Sequence, residues 1–184
     1  MSDPDGPILA LGVGNVLLCD DGVGVHVIRA LERLSEAGDL ALPPGTSLVD
    51  GGTLGLGLLP AVSSARAVLL IDAAVLGRVP GAVKVVHGDA LRHARAGHGS
   101  ASGAGVGDLL ATAQLLGTLP DAVALVGVQP GEIAVGLELT ELVGSALPTV
   151  VKVVLDELWR LEAVTRSSTS PSVAPGREVA RAAA

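Results

Sequence analysis

A chain of 184 residues with 49% apolar content is long enough for one domain with a real core. Its formal charge of −7 argues against binding a phosphate backbone. Phe and Tyr are absent and Trp159 is the single aromatic, so the stacking platforms that hold single-stranded nucleic acid are missing too.

The core must then be Val, Leu, Ile and Ala, which suits a parallel sheet buried under helices. Cys19 is the lone cysteine, so no intrachain disulfide can form. The acidic start MSDPDGP lacks the pattern of a secretory leader. No apolar run reaches the roughly 18 residues that span a bilayer. The expectation is a cytoplasmic protein with neither a nucleic-acid nor a membrane partner.

The stretch Pro7 to Leu34 organises the chain. Ile8 to Leu11 reads as a short buried strand ending in Gly12-Val13-Gly14-Asn15. Val16 to Leu18 leads into Asp20-Asp21. From Val23 the apolar residues take helical spacing, with Val27, Ala30, Leu31 and Leu34 on one face and His26, Arg29, Arg33 and Glu36 on the other. Ser47 to Val49 is a second strand, ending at Asp50, and Leu54 to Leu59 is a short helix weakened by glycines. Ala67 to Ile71 is the clearest buried strand and ends at Asp72.

After the turn GRVPG, Ala82 to His87 reads as a strand that a short connection would set antiparallel at an edge. Gly88 to Gly105 is a long loop rich in Gly and Ser, and Val106 to Gly117 a helix. Val123 to Val128 is the fifth strand. A last helix runs from an N-cap at Thr140 to about Val164, where Pro148 is expected to kink it or begin a second piece. The predicted fold is α/β: a three-layer sandwich with a twisted, mostly parallel five-stranded sheet between helices. Residues 1–164 form one domain, and 165–184 have the composition of a disordered tail.

Asp20-Asp21, Asp50 and Asp72 all stand at strand or loop ends. If the strands are parallel these ends share one edge, and carboxylates that converge there require a cation. The plainer alternative is that Asp20 caps the first helix and Asp21 favours its positive end. Gly12 and Gly14 suggest a dinucleotide loop, but Leu17 stands where a third glycine is needed, and acids at the helix start repel a pyrophosphate. Such a domain remains a distant alternative. Among the histidines, His26 is expected in solvent, His87 is open to either reading, and His93 and His98 can reach the acids from the glycine-rich loop. Cys19 reads as a small buried thiol.

The ordered motifs Leu11-Gly12-Val13-Gly14-Asn15, Asp20-Asp21-Gly22-Val23-Gly24, Asp50-Gly51-Gly52-Thr53, Leu70-Ile71-Asp72-Ala73, Val126-Gly127-Val128-Gln129-Pro130 and Gly136-Leu137-Glu138-Leu139-Thr140 resemble the hydrogenase maturation endopeptidase family. The resemblance covers Ile8 to about Leu161. It implies an aspartic-type endopeptidase that trims the C-terminal extension of a nickel-iron hydrogenase large-subunit precursor. Nickel already inserted in the substrate is then recognised by Asp21, Asp72 and a loop histidine. In the isolated protein another divalent cation is an alternative occupant.

The family's histidine position aligns with Ser102, and His98 is the nearest histidine. Glycines 97, 99, 103 and 105 would let the loop deliver it. Otherwise two carboxylates and water remain, a harder site less suited to nickel. A non-catalytic homologue that binds the large subunit as a maturation chaperone is the second reading.

Overall fold

The computed structural model describes residues 5–92 and 106–169. Strand β1 (Ile8–Val13) is followed by a 3-10 turn at Cys19–Gly22 and helix α1 (Val23–Glu36). Next come β2 (Thr46–Gly52), a 3-10 turn at Gly55–Leu58, α2 (Leu59–Ser63) and β3 (Ala67–Ala73). The chain continues through β4 (Val83–His87), α3 (Gly88–Arg92), α4 (Val106–Leu115), β5 (Ala122–Val128) and α5 (Glu141–Thr169).

The five strands form one sheet in the order β2-β1-β3-β5-β4. β2, β1, β3 and β5 are parallel, and β4 pairs antiparallel with β5 at the edge. The short connection from β3 forces that reversal, because a parallel return needs a crossover of a dozen residues or more.

Alternation along the strands sends side chains to two separate cores. Ile8, Ala10, Leu69, Ile71, Ala124 and Val126 pack on one face under α1 and α5. Leu9, Leu11, Val68, Leu70 and Val123 pack on the other under α2 and α4. This is the three-layer α/β sandwich that an aromatic-poor, Val- and Leu-rich chain required. Trp159, the single aromatic, is left largely on the surface.

Two elements depart from the sequence reading. Helix α5 passes through Pro148 without a break and continues to Thr169, beyond the expected end at Val164. One face carries Val143, Val150, Val154, Leu158 and Leu161, all buried, and that burial outweighs the lost hydrogen bond at the proline. Residues 165–169 of the expected tail are therefore helical, and 170–184 lie outside the described residues. The second departure is the helix expected over Leu54–Leu59, which is a 3-10 turn that becomes α2 only at Leu59.

The amino edge of the sheet is stapled by Arg66. Its guanidinium donates to the Gly6 carbonyl at 3.2 Å, the Pro44 carbonyl at 3.4 Å and Thr165 Oγ1 at 3.4 Å, and it pairs with the buried Glu162. The start of β1, the approach to β2 and the end of α5 are thereby tied to one side chain.

At the carboxyl edge, glycines let α1 sit against the strands. A Cβ on Gly24 would lie 2.2 Å from the Ile71 carbonyl oxygen and 2.5 Å from that of Val13; one on Gly12 would lie 2.3 Å from the Gly24 carbonyl oxygen. Gly24→Ala is therefore expected to cost about 3 kcal/mol or more, because the obstructing atoms are backbone. Gly38→Ala, at φ +79 with open space around it, should cost only about 1 kcal/mol. Urea denaturation of the two variants checks the contrast.

Candidate functional site

The sheet order places the topological switch between β1 and β3: the chain leaves β1 toward β2 on one side and returns to β3 on the other. Open α/β sheets bind ligands in the crevice at such a point, outside the carboxyl ends of the strands. Asp21 follows β1 in the 3-10 turn, and Asp72 is the next-to-last residue of β3. Gly24 joins them, because its contact with the Ile71 carbonyl seats the start of α1 beside the end of β3.

The loop that carries Asp21 is fixed locally. Gly14 has φ +126, and a Cβ there would come within 1.8 Å of the Asp21 carbonyl oxygen, so no side chain is tolerated. Asn15 Oδ1 accepts a hydrogen bond from the Leu17 amide at 2.9 Å and turns the chain, while the Asn15 amide donates to Asp21 Oδ2 at 2.8 Å. Asp21 has no solvent exposure. Its Oδ1 is buried without a hydrogen-bond partner among the described residues. A buried carboxylate oxygen left in that state is costly. Asp72 is buried as well, at 4% exposure.

Asp50 does not join them. It stands in register with Gly12, on the face of β2 that lies toward α1, and pairs with Arg29 at 2.9 Å in a half-exposed ion pair. Asp72 follows Ile71, whose side chain takes that same α1 face, so alternation turns Asp72 to the other side of the sheet. Asp20 does not cap the first helix either. The helix has no side-chain cap, and the Asp20 carboxylate turns inward to a distant segment.

The histidines divide. His87 ends the antiparallel strand at the amino edge, remote from the acids, where its Nε2 meets Glu157 Oε2 at 2.9 Å. His26 is not solvated as its helical position suggested: it is half-buried, and its Nε2 lies buried without a hydrogen-bond partner among the described residues. His93, His98 and Ser102 lie outside the described residues. Among the described residues, no three His, Cys, Asp or Glu side chains form a group able to hold a metal. Cys19 is partly buried with φ 49, left-handed for a residue that is not glycine. Strain of that kind, about 1 kcal/mol or more, gathers at functional sites.

The structure thus defines an open α/β protein with two buried acids, Asp21 and Asp72, after β1 and at the end of β3, beside the switch point. Comparison with known proteins narrows the class. The model of the hydrogenase maturation protease family matches residues 25–157, and this chain belongs to that family. The hydrogenase expression/formation protein HoxM of Azotobacter vinelandii is 36% identical over 172 residues, covering 91% of this chain and 81% of that protein. HupD of Rhodobacter capsulatus is 40% identical over 144 residues, 78% of this chain, and the match spans 63% of that relative's length.

The hydrogenase 2 maturation protease of Escherichia coli is 30% identical over 164 residues, covering 88% of this chain and 97% of that protein. The solved structure of HybD, a hydrogenase maturating endopeptidase from E. coli, matches with a TM-score of 0.70 and 28% identity, over 89% of this chain and 94% of that one. No helix among the described residues is long and apolar enough to cross a membrane.

His26 yields a pH prediction. Burial is the first cause holding its pKa below the ordinary 6.5, and the nearby Arg29 and Arg33 add to it, opposed by Glu138. The unfolded chain therefore binds the proton more readily, and His26 lowers stability as pH falls below 6.5 toward its folded pKa. Above pH 6.5 the contribution is complete. Denaturation midpoints followed between pH 7.5 and pH 5 should fall less in His26→Gln than in the natural protein.

Proposed function

We propose that this chain is the endopeptidase that removes the C-terminal extension of a nickel-iron hydrogenase large-subunit precursor once nickel has been inserted. Family membership supports the reaction class, and the burial of Asp21 after β1 and of Asp72 at the end of β3 supports the recognition step. The observation that carries the reading is the buried Oδ1 of Asp21, which has no hydrogen-bond partner among the described residues.

In this reading the nickel arrives with the substrate. Asp21 and Asp72 offer carboxylate oxygens, and His98 adds an imidazole that would shift the donor set toward nickel. The Asn15 amide, on the other Asp21 oxygen, fixes the direction of the carboxylate. Asp21, Asp72 and His98 would hold the substrate's divalent ion, which would supply polarisation of the scissile carbonyl; water's hydroxyl would end on the carbonyl carbon and its proton on the amine released as the C–N bond breaks. An empty precursor lacks the ion that the acids are arranged to hold, so cutting waits for loading. The same donor set fits another divalent cation in the isolated protein.

Intact-mass measurement of the precursor tests this directly. The mass should fall by one C-terminal peptide only when both nickel and this protein are present. Binding of the loaded precursor with no loss of mass would assign the maturation-chaperone role instead.

Asp21→Asn and Asp72→Asn should each slow cleavage by about a hundredfold or more, since the electrostatic term lost is several kcal/mol. Circular dichroism should show both variants folded. A processing rate in either variant equal to that of the unaltered protein would refute the assignment of these acids.

A further inference from the structure

Asp20 is as buried as Asp21, and its carboxylate is devoted to a segment more than a hundred residues away. Oδ1 accepts a hydrogen bond from the Thr140 amide at 2.7 Å. Oδ2 accepts from the Gly131 amide at 2.8 Å, the Glu132 amide at 3.1 Å and Thr140 Oγ1 at 2.8 Å. The backbone closes the same seam. The Asp20 amide donates to the Glu132 carbonyl at 3.3 Å, the Cys19 amide to the Gly136 carbonyl at 2.9 Å, and the Gly136 amide to the Leu17 carbonyl at 3.0 Å. Gly136 is the residue that fits there, because a Cβ would meet Cys19 Sγ at 2.5 Å. The connection from β5 to α5 is thereby clamped onto the turn that carries Asp21.

Outward from this seam, the clamped segment presents Val135 and Leu137, 92% and 68% exposed, beside the exposed Leu17. Apolar side chains held on a rigid rim next to a catalytic crevice are suited to contact with another polypeptide. A rim ordered in advance spares the complex the entropy of fixing a loop on binding.

We propose that Asp20 is a positioning residue for the cleavage described above, and that residues 131–140 form a recognition lip whose Val135 and Leu137 take an apolar stretch of the precursor beside the scissile bond. The proposal rests on the endopeptidase reading. A carboxylate suits the post because it is all acceptor and faces four donors, whereas an amide would turn an N–H toward an N–H. Asp21 is anchored from its own side by the Asn15 amide, so loss of Asp20 frees the lip and leaves the catalytic acid in place. The consequence is a KM effect with little change in kcat.

The test uses Asp20→Asn and a double variant, Val135→Asp with Leu137→Asp, assayed with nickel-loaded precursor. Both should raise KM tenfold or more with kcat within threefold of the unaltered protein. The double variant, altered only at exposed positions, should keep the unaltered Tm and decides the matter if Asp20→Asn fails to fold. An unchanged KM in the double variant, or a tenfold loss of kcat in Asp20→Asn, overturns the proposal.

Calorimetric titration of the loaded precursor separates the two readings. An unaltered protein that binds without cutting ends the endopeptidase reading and leaves the lip to be judged by affinity. A tenfold weaker Kd in the double variant supports the lip, and equal Kd values remove it.

Discussion

The first turn of α1 can approach the sheet only because its contact residues have no side chains. Gly24 lies against the carbonyls of Ile71 and Val13, and Gly12 lies beneath Gly24. A helix carrying even alanine at that crossing would have to lift away, and Asp21, three residues earlier, would lift with it. Gly14 adds a second constraint from below, since it admits the Asp21 carbonyl where no other residue could. The relation of Asp21 to the end of β3 is thus set by backbone packing and costs the side chains nothing in freedom. Preorganisation of that kind lets a site hold charge before its ligand arrives.

Around this crossing the two neighbouring acids have opposite environments. Asp20 is saturated with donors and serves the scaffold; Asp21 keeps a buried oxygen in reserve. Adjacent residues of one type are separated in role by the direction of the chain through a four-residue turn. That turn opens at Cys19, whose backbone is left-handed.

Much of the fold was legible in the sequence for a physical reason. A core of Val, Leu, Ile and Ala leaves strong periodic patterns, so β1, β3, α1 and α5 follow from spacing alone. The reversal of β4 follows from the length of its connection. The positions of Asp21 after β1 and of Asp72 at the end of β3 were legible too, because each follows a short buried apolar run.

What spacing does not reveal is long-range pairing. The partners of Asp20 lie 111 to 120 positions away, so its likeness to an N-cap was the only local signal. His26 feels the charge of Glu138, 112 positions away in sequence, and Asp50 is drawn off by Arg29 on the facing helix. Pro148 shows the converse, a strong local stop signal overridden by a buried apolar stripe on both sides of it.

The staple at Arg66 bears on how this domain is carried within a longer polypeptide. It gathers the beginning of β1 and the far end of α5 on the side of the sheet away from the acids. The chain thus enters β1 and runs through the end of α5 on one side of the sheet, opposite Asp21 and Asp72. An extension joined next to residue 5 or residue 169 would therefore start from the side of the sheet opposite Asp21 and Asp72.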